Sequence, residues 1–144
     1  MTKRLLCVLT SAALVLVMGA GCGDESGSDD DAGSTYTLSG TLTKAGVAGV
    51  RAYLKLVAWG APENTAPLYF TSSSVFSNGT ASYTITGVTA GRYYGYAFID
   101  MNGNAAGGAT SIPDIGDYTT GPGEISVHQD TTAHIPDGGW ELLQ

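Results

Sequence analysis

The chain has 144 residues, a length for one domain, with 43 % apolar and 13 % charged residues and 21 glycines. Six Lys and Arg against thirteen Asp and Glu give a net charge of −7, which excludes a nucleic-acid partner held by phosphate neutralisation. The low charge argues against a wholly disordered chain. The lack of periodic runs rich in Ala, Glu, Lys, Leu and Arg argues against a helical bundle or coiled coil.

Residues 1–21 read as a secretory signal. Lys3 and Arg4 form a positive start, and Leu5 to Met18 is apolar except at Thr10 and Ser11. That stretch is short of the roughly 20 residues a membrane-spanning helix needs. Gly19, Ala20 and Gly21 then lead into Cys22. The Ala20-Gly21-Cys22 junction resembles the lipobox of bacterial lipoproteins, although Gly19 stands where that family usually has an aliphatic residue. The resemblance implies that the Cys22 thiol receives a diacylglycerol, that the signal is cut before it, and that the new amino group is acylated. Cys7 lies inside the signal, so Cys22 is the one cysteine left after cleavage and no internal disulfide can form. Several acyl chains hold a protein stably at a membrane, where one alone is marginal.

Residues 22–34 form an acidic tether. Its charges, Asp24, Glu25, Asp29, Asp30 and Asp31, are all negative and lie among Gly and Ser. Such a segment repels itself and stays solvated, a spacer rather than a metal site. Gly23, not Asp, follows the cysteine. By the resemblance to lipoproteins of enteric-type bacteria, that implies the outer membrane of a Gram-negative cell envelope. Residues 35–144 form the folded domain and are only mildly acidic, with Lys44, Arg51, Lys55 and Arg92 as their cations.

Within this domain the pattern predicts strands. Thr35 to Leu42 alternates, with Tyr36, Leu38, Gly40 and Leu42 on one face. A Gly-rich turn follows at 44–49. Val50 to Trp59 alternates again, with Val50, Ala52, Leu54, Leu56 and Ala58 opposed to Arg51, Tyr53, Lys55, Val57 and Trp59. Residues 60–67 read as a loop and Leu68 to Thr71 as a short strand. Asn78-Gly79 predicts a two-residue hairpin turn joining Val75–Phe76 to Ser82–Thr86, because both residues tolerate positive φ. Gly87 to Gly91 reads as a turn and Arg92 to Asp100 as the most aromatic strand. A long loop runs from Met101 to Gly123, and Glu124–His128 and Thr131–Ile135 close the fold. The expectation is an all-β domain, a single antiparallel β-sandwich of seven or eight strands around one core.

Three stretches carry a family likeness: Tyr36-Thr-Leu-Ser-Gly40-Thr-Leu-Thr, Gly46-Val-Ala-Gly49-Val-Arg-Ala-Tyr-Leu, and Tyr83-Thr-Ile-Thr-Gly87-Val-Thr-Ala-Gly91-Arg-Tyr93. They resemble the carboxypeptidase regulatory-like and Cna protein B-type domains over residues 36–100, with a looser fit at 124–135. The resemblance implies a prealbumin-like sandwich and a non-catalytic surface or accessory role, with Tyr83, Ile85 and Val88 filling the core. Some Cna B-type domains join a Lys to an acid through an isopeptide bond. Lys44 and Lys55 are the lysines available for that here, with no buried acid partner identifiable.

The chemistry-bearing candidates are few. His128 and His134 are the histidines of the chain, and no Gly-x-Ser-x-Gly nucleophile turn accompanies them. The expectation is a protein that is not an enzyme. Asp100, Asn102 and Asn104 place oxygen atoms at alternate positions as calcium loops do, and Asp114 and Asp117 follow in the same loop. This is not an EF-hand, because Ala105 and Ser111 stand where that loop has Gly and Glu. Two readings stay open: a Ca²⁺ site on these five residues, or a plain loop of turn-forming residues. On the calcium reading, Asp100→Ala removes the gain from calcium and leaves the metal-free melting temperature nearly unchanged; a plain loop melts equally in calcium and in chelator. The aromatic strand also has two readings. With Tyr93, Ala97 and Ile99 facing the core, Tyr94, Tyr96 and Phe98 line the other face. They are either an exposed row for a glycan, a small ligand or a protein, or a patch covered by the 101–123 loop and Trp140. The expected function is a lipid-anchored cell-envelope protein with a structural or recognition role, partnered by the membrane and by an envelope protein or glycan. The alternative is a carbohydrate- or small-ligand-binding module using the aromatic strand, with calcium as its one candidate cofactor.

Overall fold

Residues 33–62 and 65–144 are described by a computed structural model. The 1–21 signal, Cys22 and the tether up to residue 32 lie outside the described residues. The long strands arise where apolar and polar residues alternate. β1 (Thr35–Thr43), β2 (Arg51–Ala58), β3 (Tyr69–Ser72), β4 (Thr80–Thr89) and β5 (Gly91–Asp100) come first. β6 (Tyr118–Thr119), β7 (Gly123–Val127), β8 (Thr131–Thr132), a single 3₁₀ turn at Asp137–Gly139 and β9 (Glu141–Leu142) complete the described chain. No helix among the described residues is long and apolar enough to cross a membrane.

The strands form two sheets, one of order β4-β1-β8 and a six-stranded one of order β3-β2-β5-β6-β9, with β7 also paired to β5. Pairing is antiparallel except between β1 and β8, which run parallel through Leu38–Thr131 and Ser39–Thr132. The domain is therefore an all-β sandwich, as expected, although nine strands rather than seven or eight are counted among the described residues. Its core lies between the sheets. Leu38, Leu42, Ala81, Tyr83, Ile85 and Val88 face Ala52, Leu54, Leu56, Tyr93, Ala97 and Ile99 across the gap, all buried. Each fully buried aliphatic side chain of this kind stabilises the fold by about 1.5–3 kcal/mol.

Two expectations about turns are corrected. Gly87 does not open a turn; β4 continues through it to Thr89. The register slips between Tyr36–Val88 and Leu38–Ile85, so two residues of β4 oppose one of β1. Gly87 sits at φ 71° in this bulge, a conformation that glycine adopts without a Cβ penalty. The extra residue resets the phase, which is why burial runs 81, 83, 85 and then 88. The Asn78-Gly79 turn forms with φ 51° and 79°, the two positive values of the expected type I′ turn. Yet its incoming arm is shared: Ser74 donates its N–H to Ser82 O of β4 at 2.7 Å, while Phe76 turns to the 49–50 segment. Phe76 donates its N–H to Val50 O at 2.8 Å and accepts from Gly49 N at 3.0 Å, and its ring enters the core.

Candidate functional site

The five residues proposed from sequence as calcium ligands do come together. Asp100 ends β5 and is buried, and its carboxylate accepts three backbone N–H groups. Gly103 N and Asn104 N reach Oδ1 at 2.7 and 3.2 Å, and Ala105 N reaches Oδ2 at 3.1 Å. Asp117, also buried, accepts Met101 N at 2.9 Å on Oδ1 and Asp114 N at 3.1 Å on Oδ2. Asp114 is exposed and accepts the side-chain amides of Asn102, at 3.0 Å, and of Asn104. Asn102 in turn accepts Asn104 N at 3.1 Å.

The cluster thus ties the two ends of the loop together through its own polar groups. Among the described residues, no group of three or more His, Cys, Asp or Glu is arranged to hold a metal ion. The three N–H bonds to its carboxylate give Asp100 a part in holding the metal-free loop, against the sequence expectation that it contributes little there. Removing the carboxylate takes away the acceptor of three N–H groups; Gly103 and Asn104 are exposed, so water can replace it there, and the cost is about 1–3 kcal/mol in all.

The aromatic strand is the second candidate, and here the open-row reading is corrected. Tyr96 and Phe98 are buried, and Tyr94 is half-buried. Phe98 stacks on Tyr53 at 5.2 Å between ring centroids, and Tyr53 stacks on Phe70 at 6.0 Å. Ser111 and Pro113 of the long loop close over Tyr96 and Phe98, leaving a crevice of about 20 Å³. The loop braced by Asp100 and Asp117 is therefore a cover that gives the outer face of the larger sheet a small core of its own. Trp140 takes no part in it. It lies in the inter-sheet core and donates its indole N–H to Thr43 O at 2.9 Å. Tyr94 packs against Trp59 at 4.4 Å, and the Arg92 guanidinium sits 3.9 Å above the Trp59 ring. Arg92 also pairs with Glu124.

The remaining candidates hold the fold. His134 Nδ1 lies 2.8 Å from the Thr41 hydroxyl and accepts the Thr41 N–H at 3.1 Å, fastening the closing segment to β1. His128 follows β7 on the surface. Lys44 Nζ stands 3.4 Å from Asp137 Oδ1 and 4.7 Å above the Tyr118 ring. Asp137 is half exposed, so this is a solvated ion pair and not the buried pair an isopeptide bond needs. The Ala45 N–H, and after it the Lys44 charge, hold the Asp137 carboxyl below its ordinary value. Burial pushes the Tyr83 hydroxyl up to about 12, and that hydroxyl donates to Ala133 O at 2.8 Å.

A third feature has no counterpart in the sequence reading. Between the sheets lies a cavity of about 390 Å³. One wall is Leu38, Tyr83 and Ile85 with the closing segment Ala133–Pro136. The other is Leu54, Leu56, Gly95 and Ala97 with Thr120–Ile125. These walls come from strands far apart in the chain, so no local pattern marks them. Gly95, a glycine at an inward position of an otherwise aromatic strand, marks a close approach instead: Ile125 Cδ1 lies 2.7 Å from where a Cβ would stand. No protein-family model matches this chain, and no curated protein matches it.

Proposed function

We propose that this chain is a lipid-anchored protein of the cell envelope, held through Cys22 at the outer membrane of a Gram-negative bacterium. Its sandwich, of the prealbumin-like kind, then serves a structural or recognition role without catalysis. The observation that carries this reading is where the fold starts. β1 begins at Thr35, directly after the acidic segment, and every strand described from there on belongs to one two-sheet module. A rigid module on a charged N-terminal tether stands off the surface that anchors it. The test is Cys22→Ser. The variant is expected to move from the membrane to the soluble fraction and to take up no labelled palmitate. A wild-type chain without label, or a Ser variant that still sediments with membranes, contradicts the proposal.

The convergence of Asp100, Asn102, Asn104, Asp114 and Asp117 favours a second reading, in which the module takes Ca²⁺ on this loop. The donors are all oxygen, the chemistry a hard cation selects. Asp114 is held by amide N–H groups of Asn102 and Asn104. Turning those amides over would offer their carbonyl oxygens beside the carboxylate. A native-state ligand at a hundredfold excess over Kd adds about 2.7 kcal/mol, and extracellular sites bind at about 10⁻⁴–10⁻³ M. Millimolar calcium is therefore expected to raise the melting temperature over that in chelator. Equal melting in both removes calcium from the account.

A further inference from the structure

We infer that the cavity between the sheets is a binding site for a single unbranched acyl or alkyl chain. Three observations carry this. The first is size. At about 390 Å³ the cavity falls in the range of small-molecule sites, about 300–1,000 Å³, in an interior where voids larger than water are few. A dry aliphatic cavity of about 150 Å³ takes one benzene, so this one takes about a dozen to fifteen carbons.

The second observation is lining. Leu38, Leu54, Leu56, Ile85 and Ile125 give the walls aliphatic surface. No buried side-chain nitrogen or oxygen among the described residues lacks a hydrogen-bond partner. Water inside would find few of the two to four polar partners it needs. An apolar occupant loses nothing there, and its polar end reaches solvent at the rim beside Thr120 and His134.

The third observation is that the gap is built. Ala97 faces inward from β5 and Ala133 lines the opposite wall, so small residues meet across the gap, while the place a side chain at Gly95 would take is filled by Ile125, whose Cδ1 lies 2.7 Å from where a Cβ would stand. Neither wall is free to close. Ala133 N and Ile135 N donate to Ser39 O and Thr41 O at 2.9 and 3.0 Å, and Tyr83 holds Ala133 O. Across the gap, Thr120 N donates to Ala97 O at 2.9 Å and β7 pairs with β5. Packed sheets stand about 10 Å apart, one layer of side chains, so the occupant must be slim. A flexible chain meets that condition better than a fused ring.

The test uses the full chain carrying Cys22→Ser in detergent-free buffer, so that no covalent acyl group competes. Saturated fatty acids of eight to eighteen carbons displace N-phenyl-1-naphthylamine, read by fluorescence. Affinity is expected to rise about fourfold per methylene and to stop rising once the chain fills the cavity, near about fourteen carbons. Ile125→Trp, at the mouth, is expected to abolish displacement at an unchanged or higher melting temperature. Should that variant melt lower, Ala133→Leu on the opposite wall replaces it with the same expectation. The proposal fails if no chain length displaces the probe, or if affinity climbs without a break to eighteen carbons, as adsorption on a surface would. It also fails if a folded, filled variant binds as the unfilled protein does.

Discussion

From Thr35 to Asp100 the chain makes four strands of eight to ten residues, and most of the inter-sheet core comes from them. From Met101 to Gln144 the strands run two to five residues. There the chain is held by side chains that bond to backbone: Asp100, Asp117, Asp130, Asp137, Thr120 and His134 each take a backbone N–H. The first region is stabilised by area removed from water, the second by satisfied polar groups. The difference teaches which changes each region tolerates. A core loses stability in proportion to the volume deleted, whereas a polar staple fails when one acceptor goes.

The largest effect is expected in the first region. Leu42 is fully buried, and Leu42→Ala is expected to cost about 3 kcal/mol, within the usual range for such deletions. Urea denaturation followed by circular dichroism measures it. A loss under about 1 kcal/mol would show that the long strands are not held by their core, and the contrast between the regions would collapse.

Next comes the staple. Asp100→Ala is expected to cost about 2 kcal/mol by removing the shared acceptor of the Gly103, Asn104 and Ala105 N–H groups. Asp100→Asn keeps one oxygen for Gly103 and Asn104 and is expected to fall between the variant and the wild type. Hydrogen exchange at Gly103, Asn104 and Ala105 is expected to quicken in the Ala variant while β1 and β4 stay protected. Uniform loss of protection across both regions would mean that they unfold as one unit and that the staple has no local role.

The smallest effect lies where the regions meet. Tyr83 of β4 donates to Ala133 of the closing segment, and burial pushes its hydroxyl up from the ordinary tyrosine value to about 12. The folded value is the higher one, so the fold favours neutral Tyr83. Its contribution is complete below pH 10 and is lost as pH rises through about 12. Linkage puts the loss on the order of 1 kcal/mol by pH 11. Tyr83→Phe is expected to lose about 1 kcal/mol at neutral pH and to show a shallower decline in stability between pH 10 and 12. An identical alkaline decline in both proteins places the titration elsewhere.

The sheets were legible in the sequence because their signals are local. Alternation at Leu38, Leu42, Leu54 and Leu56 reports which face of a strand is buried, and Asn78-Gly79 reports a turn, each within a few residues. The convergence of Asp100 with Asp117 was partly legible too, since both lie in one loop. The use of those carboxylates was not, because an oxygen that serves a metal and one that serves three N–H groups look alike in a sequence. Tertiary structure alone decided the rest. Asp130 with Thr37, His134 with Thr41 and Trp140 with Thr43 join residues 93 to 97 positions apart. The bulge at Gly87 set the phase of β4 against β1. The covered face of Phe98 and the space between Ala97 and Ala133 depend on which distant segment arrives there. Chain order carries no local trace of such meetings, because their free energy exists only once both partners have left water together.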